Sequence, residues 1–312
     1  MLTLAPEVAA ALGEGRPVVA LESALVAHGL PHPLSVETAL AMEAAVRAAG
    51  AVPATVGLVR GQPTIGLDQA DLERFARGAR VPKASLRDLA PLARRGDDGA
   101  TTIAATLWLA ARAGIAIVAT GGIGGVHRGA SATSDVSADL VALASASALV
   151  VCSGPKVLLD LPRTREWLET WGVPLVGWRC AEMPAFYHSH SGLPVDDVVE
   201  DAAQAAALLR AQRALGLAGS VVLAVPPPVE AAADAAVVEQ ALATALAELE
   251  ATGVTGAEIT PRALARLFEL TSGAALRANV ALLRNNARIG GEVAVALAAP
   301  PARVGAPTEG SQ

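Results

Sequence analysis

The stretch TTIAATLWLAARAGIAIVATGG, residues 101–122, shows the pattern from which the fold can be predicted. Residues 101–114 have the spacing of a helix that ends at a glycine, and residues 115–120 are a short apolar run typical of a buried strand. Glycines follow directly after this run. A helix, then a buried strand, then a glycine-rich loop indicates a layered α/β domain with a largely parallel central sheet.

The same alternation continues in both directions along the chain. The patterns predict strands at residues 17–25, 148–154, 173–178 and 220–228, a hairpin at 54–67, and helices at 35–50 (with Ser35 as N-cap) and 195–216. From residue 229 the chain is mainly helical, ending in a long helix over 275–298 that we expect to be kinked near Gly290. No repeat or linker marks a boundary, so we expect one domain over residues 1–300 and a disordered Pro/Gly-rich tail at 301–312.

Composition excludes several classes of function. The net charge is −6 and no basic run is present, so a nucleic-acid partner is not expected. The longest uncharged stretches have 16 residues, which is shorter than the roughly 18 that a membrane-spanning helix needs. The N-terminal segment lacks the basic start of a signal peptide, and we expect a cytoplasmic protein that does not bind membranes.

Glu22 is the first candidate for chemistry. It lies inside the apolar run at 17–25, and ligands of parallel sheets bind beyond the carboxyl ends of the strands. A carboxylate in an apolar strand is costly unless it is paired or used, and burial raises its pKa toward the range of a general acid. A glutamate on an exposed strand face, or in a structural ion pair, is the alternative interpretation.

Residues 119–140, ATGGIGGVHRGASATSDVSADL, form a glycine-rich cluster with acids. His127 stands where a dinucleotide-binding loop would have its third glycine, and no Gly-Lys-Ser/Thr follows as in a P-loop. Asp135 and Asp139 are four residues apart, which on a helix would place both carboxylates on one face and suit Mg²⁺ or Mn²⁺. A mobile glycine loop and acids that complement a helix dipole are the alternatives.

Lysine usage singles out two further positions. Only Lys83 and Lys156 are lysines among 24 basic residues, and the others are arginines. Arginine replaces lysine as a surface charge, but it cannot form a Schiff base. The retained lysines therefore indicate amine chemistry or a phosphate contact, unless they survive by chance. A phosphorylated sugar or aldehyde is a suitable substrate for a site with a lysine, a carboxylic acid, a divalent metal and an anion-binding loop. Three classes of enzyme remain open at this point: an aldolase, a lyase or a phosphosugar isomerase.

Longer motifs carry a resemblance to a known family. They are ALES followed by HGLPHP, GAVPATVGL, GATTIAAT, ATGGIGGVHRGA, SDVSADL, PAFY and NVALLRNNA. With these the chain resembles the pseudouridine-5′-phosphate glycosidases, also called indigoidine-synthase-A-like proteins, from about residue 5 to about residue 298. The resemblance implies a three-layer α/β/α sandwich with a mixed, largely parallel sheet, a homotrimer and one Mn²⁺ per subunit. The implied reaction is the reversible cleavage of pseudouridine 5′-phosphate to uracil and ribose 5-phosphate through a lysine Schiff base, by a lyase of the carbon–oxygen hydro-lyase class.

Matched residue by residue, the same resemblance assigns roles. It places the proton donor on Glu22, the Schiff-base lysine on Lys156, a second substrate-binding lysine on Lys83 and the manganese ligand on Asp135. Substrate contacts or polar neighbours of the active site fall on Ile103, His127, Ser137, Ala138, Asp139 and Asn279.

Three positions depart from the family pattern. Pro155 replaces a common Ala or Val before the lysine, Ser35 replaces a common Asn, and His-Ser-His-Ser at 188–191 lacks a common arginine. The altered 188–191 segment leaves open a related phosphosugar lyase or synthase that acts on a different nucleobase or carbonyl partner. A non-catalytic phosphometabolite-binding protein is the third hypothesis, and the survival of Glu22, Lys156 and Asp135 speaks against it.

Overall fold

A mixed sheet of eleven strands forms the centre of the chain in a computed structural model, which describes residues 2–78, 81–252 and 259–300. The tail at 301–312, for which we predicted disorder, lies outside the described residues. The strands are β1 (Thr3–Leu4), β2 (Val18–Glu22), β3 (Val52–Val59), β4 (Gln62–Ile65), β5 (Lys83–Ala84), β6 (Gly99–Thr101), β7 (Ile117–Ala119), β8 (Leu149–Cys152), β9 (Leu175–Trp178), β10 (Asp197–Val199) and β11 (Val221–Ala224).

Helices cover both faces of this sheet. They are α1 (Pro6–Gly13), α2 (Leu34–Ala48), α3 (Gln69–Arg77), α4 (Leu86–Arg95), α5 (Ile103–Arg112), α6 (Ala130–Thr133), α7 (Ala138–Ser145), α8 (Leu161–Thr170), α9 (Ala202–Ala214), α10 (Ala235–Ala251), α11 (Ile259–Leu270) and α12 (Ala274–Ala298), with a one-turn π-helix at Leu25–Gly29 and a 3₁₀ turn at Val229–Ala231. No helix among the described residues is long and apolar enough to cross a membrane.

The strand order is β1-β4-β3-β2-β7-β8-β11-β9-β10, with β5 and β6 attached beside β3. Among the described pairs, β3 runs antiparallel to β4 and to β6, and the other neighbours are parallel. The three adjacent strands β2, β7 and β8 are parallel, so their carboxyl ends meet at one edge of the sheet. This edge holds the site described below.

Two apolar layers separate the sheet from its helices. Alternate residues of one strand enter different layers: Val19 and Leu21 of β2 pack on the side of α2, α9 and α12, whereas Val18 and Ala20 pack on the side of α1, α5, α7 and α8. The period of two along buried strands explains this division. The prediction of a three-layer α/β/α sandwich with a mixed, largely parallel sheet is confirmed.

Two local predictions were wrong. Residues 197–199 form edge strand β10 rather than the start of a helix, and the helix begins at Ala202 behind the N-cap Asp201. The run VDDVV satisfies β-propensity, and pairing with β9 decides its conformation. The second wrong prediction is Ser35 as an N-cap. The N-cap position is Pro33 and the helix begins at Leu34, so Ser35 lies inside α2, where it is buried.

Glycines in the last helix serve packing. Helix α12 runs uninterrupted through Gly290 and Gly291. A Cβ at Gly290 would lie 3.1 Å from the Cβ of Ala119 on β7, and a Cβ at Gly291 would lie 2.6 Å from that of Ala49. The paired glycines therefore let α12 approach the central strand and α2 more closely than larger residues would allow.

Candidate active site

Three loops meet where β2, β7 and β8 end. Glu22 is the last residue of β2, Thr120 follows β7 directly, and Lys156 lies four residues after the end of β8. Since the three strands are adjacent and parallel, the fold brings a carboxyl group and an amine of distant sequence positions to one place.

A cavity of about 380 Å³ opens at this edge. Its polar lining includes Glu22, Lys83, Lys156 and Asn279. His28 is also part of the polar lining. The rest of the wall is largely apolar and consists of Ala24, Leu25, Gly29, Pro82, Gly121, Gly122, Val157, Phe186, Leu264 and Leu283. Few polar groups on an apolar wall are characteristic of a small-molecule site.

The carboxyl group of Glu22 is buried, with 5% of the residue exposed. Its Oε1 accepts a hydrogen bond from the Thr120 hydroxyl at 2.5 Å. Burial raises the pKa of Glu22, and this outweighs the nearby charge of Lys156 and the Thr120 hydrogen bond, which both lower it. A carboxyl group that holds its proton closer to neutral pH suits a general acid.

Lys83 and Lys156 lie close enough for their charges to interact. Lys83 is exposed as a whole residue and Lys156 is half-buried. Desolvation of the Lys83 amine lowers its pKa and the charge of Lys156 lowers it further, while Asp139 and Glu22 act in the opposite direction. Both lysines line the larger cavity, so each offers an amine to a ligand bound there.

The backbone before Lys156 is fixed to the glycine-rich loop. The Ile123 N–H donates to the Gly154 carbonyl at 3.2 Å, and the Lys156 N–H donates to the Ile123 carbonyl at 3.0 Å. This bridge pairs Ile123 with Pro155, and neither hydrogen bond needs an N–H from residue 155. Pro155 is therefore compatible with the pairing and restricts the backbone on which the lysine is mounted.

A second cavity, of about 50 Å³, adjoins the same two lysines. It is lined by Lys83, Lys156, Gly124, His127, Ser137, Asp139, Leu158 and Leu159. A Cβ at Gly124 would lie 2.1 Å from the Ser137 hydroxyl oxygen, so only glycine fits there. The two cavities meet at the lysines, and the smaller one has the more polar lining.

Asp139 joins three segments around this smaller cavity. It is buried in the first turn of α7, and its two oxygens accept hydrogen bonds from the backbone N–H groups of Ala104 and Gly124, both at 2.9 Å. Ser137 is the N-cap of α7 and accepts from the Asp139 N–H at 3.2 Å. The carboxylate therefore holds the glycine-rich loop against the start of α5.

The sequence matches one known protein family over most of its length. The sequence model described as "Indigoidine synthase A like protein" matches residues 7–296. The chain belongs to the indigoidine synthase A-like family.

Relatives of this chain are similar to it over nearly their whole length. The pseudouridine-5′-phosphate glycosidase of Herpetosiphon aurantiacus is 53% identical over 296 residues, covering 95% of this chain and 98% of that protein. The protein of the same name from Roseiflexus sp. is 56% identical over 300 residues, covering 95% and 96%.

Solved structures of the family share the fold. A prealnumycin C-glycosynthase in complex with ribulose 5-phosphate superposes with a TM-score of 0.88 at 40% identity, covering 96% of this chain and 97% of that one. An indigoidine synthase A-like protein of Thermotoga maritima superposes with a TM-score of 0.87 at 34% identity, with the same coverage.

Most positions matched to the family's site line the two cavities. Glu22, Lys83, Lys156 and Asn279 line the larger one, and His127, Ser137 and Asp139 line the smaller one together with both lysines. Ala138 is exposed at the start of α7. Ile103 is buried as the first residue of α5, so its backbone N–H is one for which the helix supplies no partner.

The prediction that Asp135 and Asp139 share a helix face was wrong. Helix α6 ends at Thr133, Ser134 takes a left-handed conformation, and α7 begins only at Ala138, so Asp135 lies between the helices. Asp139 instead matches the alternative, an acid in the first turn of a helix, where it complements the dipole.

The surroundings of Asp135 limit the kind of metal site that it can form. Its side chain is 46% exposed, and Nδ1 of His127 lies 3.9 Å from its Oδ2. Within residues 2–78, 81–252 and 259–300, no group of three or more His, Cys, Asp or Glu side chains is placed to hold a metal ion. A single accessible carboxylate fits a hard ion that keeps most of its water ligands, as Mg²⁺ commonly does.

The altered segment at 188–191 lies apart from both cavities. None of its four described residues belongs to either lining. His190 is exposed and lies 3.4 Å from Glu182, and the Ser191 hydroxyl donates to the Met183 carbonyl at 2.6 Å. The four residues that stand in place of the family's arginine therefore contribute nothing to either lining.

Sequence reasoning missed three residues of the site. Thr120 donates to Glu22, Phe186 forms part of the apolar wall, and Asn286 contacts the loops after both β7 and β8. Phe186 and Asn286 lie in the quoted motifs PAFY and NVALLRNNA, so a search for buried polar groups within those motifs would have found Asn286.

Proposed function

We propose that the chain is a pseudouridine-5′-phosphate glycosidase, which cleaves the C–C glycosidic bond of its substrate to give uracil and ribose 5-phosphate, reversibly. The observation that carries the proposal is the placement of a buried carboxyl group, Glu22, and a lysine, Lys156, on one cavity whose remaining wall is largely apolar. Relatives of that name at 53–56% identity over 95% of the chain support it.

The bond to be broken explains why both groups are required. Carbon is a poor leaving group. Uracil therefore cannot leave C1′ of a C-glycoside in the way that the leaving group of an N- or O-glycoside does. In the proposed reaction Glu22 protonates the ribose ring oxygen, and the C1′–O4′ bond breaks as the neutral amine of Lys156 bonds to C1′. The new C1′ ammonium then returns a proton to the Glu22 carboxylate. The freed nitrogen lone pair forms the imine as the C1′–C5 bond to uracil breaks, and Glu22 protonates C5 of the leaving uracil. Water hydrolyses the imine to release ribose 5-phosphate and the free amine of Lys156.

The two cavities divide the substrate between them in this proposal. The larger cavity, with its apolar wall and Asn279, receives uracil and C1′. The smaller cavity receives the phosphate end beside His127 and Ser137. The Asp139 carboxylate in its lining is already bound to the backbone N–H groups of Ala104 and Gly124. Lys83 and Lys156 lie at the junction, where the ribose joins the two.

We assign one Mn²⁺ per subunit to Asp135, as the resemblance implies. The exposed carboxylate and the nearby His127 support a hydrated ion at the phosphate end. Such an ion, when bound, supplies positive charge that neutralises the phosphate. The steps at C1′ and the ring oxygen are carried by Glu22 and Lys156.

We further propose a cytoplasmic homotrimer of the carbon–oxygen lyase class. Trp108 of α5 is 43% exposed and Val141 of α7 is 56% exposed, beside a surface groove of about 430 Å³. Exposed large apolar side chains that lie together favour burial against another subunit. Light scattering coupled to size-exclusion chromatography tests this, and a mass of one chain, or of any multiple other than three, contradicts it.

One assay tests the proposed function. The purified chain is incubated with pseudouridine 5′-phosphate and Mn²⁺, and uracil and ribose 5-phosphate are quantified by chromatography and mass spectrometry. We expect both products in equal amounts, and the reverse reaction from the two products. An enzyme with Glu22→Gln serves as the matched control for contaminating activity. Absence of uracil from the wild-type reaction contradicts the proposal.

A C-glycosynthase that uses another acceptor is the second candidate. The observation that favours it is the similarity to the prealnumycin C-glycosynthase, at 40% identity over 96% of this chain. The identity to the glycosidases is higher, at 53–56%, and the 188–191 segment lies outside both cavities. Formation of a C-glycoside from ribose 5-phosphate and an aromatic acceptor, without cleavage of pseudouridine 5′-phosphate, would decide for this candidate.

A further inference from the structure

Asn286 is a buried amide that touches both catalytic loops without lining either cavity. It lies on α12 and has no exposed surface. Its Nδ2 donates to the Thr120 carbonyl at 2.9 Å and to the Ser153 hydroxyl oxygen at 3.1 Å. Thr120 follows β7 and Ser153 follows β8, so one side chain connects the loops after two neighbouring strands.

The contact through Thr120 leads to the proton donor. The Thr120 backbone is held on one side by its N–H, which donates to the Val151 carbonyl at 3.0 Å, and on the other by Asn286. Its hydroxyl donates to Oε1 of Glu22 at 2.5 Å. Asn286 therefore fixes the peptide from which the hydroxyl reaches the general acid.

The contact through Ser153 leads to the nucleophile. Ser153 begins the loop that reaches Lys156, and its N–H donates to the Gly121 carbonyl at 2.8 Å. Its carbonyl accepts from the N–H of Phe186, which lines the larger cavity, at 3.0 Å. The amide orientation follows from the chemistry, because the Thr120 carbonyl can only accept and must face the nitrogen of Asn286.

The packing of α12 makes this reach possible. Gly290 lies one turn after Asn286 on the same helix face, and a Cβ there would lie 3.1 Å from the Cβ of Ala119. Leu283 and Asn279, one and two turns earlier on that face, line the larger cavity. The helix that contributes to the cavity wall therefore also carries the amide beneath it.

We infer that Asn286 is a positioning residue, which acts through Thr120 and Ser153 to hold Glu22 and Lys156 at a fixed separation. The inference rests on the proposed function, in which the acid and the amine act on two bonded atoms, the ring oxygen and C1′. Groups that act on adjacent atoms tolerate little relative displacement, and a shift of about 1 Å costs roughly 100-fold in rate.

A double-mutant cycle on kcat tests the inference. The proteins are wild type, Asn286→Ala, Thr120→Val and the double variant, with pseudouridine 5′-phosphate as substrate. We expect each single substitution to lower kcat about 10- to 100-fold, with KM within about threefold of wild type. Thr120→Val removes the connection to Glu22 that Asn286→Ala also weakens, whereas the connection through Ser153 is affected by Asn286→Ala alone. The double variant should therefore lose clearly less than the product of the two single losses.

Two matched variants separate positioning from a general loss of structure. Thr120→Ser keeps the hydroxyl donor and should retain most of the activity. Asn285→Ala, the neighbouring residue that instead accepts a hydrogen bond from Arg288, should leave kcat unchanged. If Asn286→Ala does not fold, two other tests still decide whether the connection positions the catalytic groups. The first compares Thr120→Val with Thr120→Ser. The second is Ser153→Ala, which we expect to lower kcat about 10-fold.

The outcomes are distinguishable from one another. Two results overturn the positioning role and leave the proposed function intact. One is a double variant whose loss in kcat is the product of the two single losses. The other is equal activity in Thr120→Val and Thr120→Ser. A wild-type chain that does not cleave pseudouridine 5′-phosphate overturns the proposed function, and the inference with it.

Discussion

The two cavities that share Lys83 and Lys156 differ in every property that matters for catalysis. The larger one has a mainly apolar wall, and its carboxyl group, Glu22, is buried with a raised pKa. The smaller one is lined by His127, Ser137 and Asp139, and Asp135 beside it is exposed. The proton donor thus lies in the mainly apolar cavity, the anchoring groups lie in the more polar one, and the two lysines lie between them. Substitutions in the first should lower kcat, and those in the second should raise KM.

The largest effect is expected at Lys156. Lys156→Arg keeps the charge at the junction of the cavities but removes the amine that bonds to C1′, so we expect kcat to fall by about 10⁴-fold or more. Lys83→Arg is the matched control, because the same exchange at the second lysine should cost about 10-fold. Circular dichroism checks that both variants fold. A comparable loss at the two positions would contradict the division of roles.

The next effect concerns Glu22 and its dependence on pH. Burial raises the pKa of Glu22, so the acid form persists above its usual range, and kcat should decline as the pH rises through that raised value. Glu22→Gln should lower kcat about 10²- to 10⁴-fold and abolish this decline. Rates measured from about pH 4 to about pH 9, which covers ordinary and strongly raised glutamate pKa values in proteins, provide the check. An unchanged basic limb in Glu22→Gln assigns the titration to another group.

The same raised pKa has a consequence for stability. Between the ordinary and the raised pKa of Glu22 the folded chain binds more protons than the unfolded chain, so the free energy of unfolding falls as the pH rises through this window. The glutamine variant does not titrate there. Thermal unfolding of wild type and Glu22→Gln should therefore diverge as the pH rises, with the variant the more stable; parallel curves would show that Glu22 is not buried as described.

The smaller cavity should respond through stability and KM. Asp139→Asn replaces one acceptor oxygen by an NH₂ group, so one of the two backbone N–H groups loses its acceptor. The free energy of unfolding should fall by about 1–3 kcal/mol and Tm by several degrees. Asp135→Asn, at the exposed neighbour, should leave Tm unchanged and raise KM in Mn²⁺. Calorimetry on the pair distinguishes the two aspartates, and equal Tm values would remove the structural role of Asp139.

The smallest effect is expected at His127. His127→Ala removes one hydrogen-bonding group beside the phosphate end, so KM should rise about fivefold with kcat nearly unchanged. His190→Ala, which alters an exposed histidine outside both cavities, should change neither parameter. A fall in kcat without a rise in KM would place His127 in the chemical step instead.

The sequence, with the family resemblance, was sufficient to predict the central sheet and most of the polar residues that line the cavities. Buried strands such as 115–120 have an apolar pattern that does not depend on distant partners, and the ends of parallel strands meet at one edge. Glu22 and Lys156 were identified because each is unusual locally, one as a carboxyl group in an apolar run and the other as a rare lysine.

Features that depend on tertiary packing were not predictable in the same way. The role of Asp139 depends on where the N–H groups of Ala104 and Gly124 lie in space, and spacing to Asp135 gave the wrong face. The helix pattern marks Gly290 as unusual, but its close approach to Ala119 depends on a distant segment that the pattern does not contain. Asn286 belongs to a helix pattern, and the two loops that it joins come together only in the folded chain.

The central claim is that Lys156, rather than Lys83, forms the bond to C1′. The most direct measurement is reduction of the enzyme with borohydride in the presence of ribose 5-phosphate, followed by peptide mass mapping. The account predicts one pentose-phosphate adduct on the peptide that contains Lys156, absent from Lys156→Arg and retained in Lys83→Arg. An adduct on Lys83, or an active enzyme that gives no adduct, would contradict it.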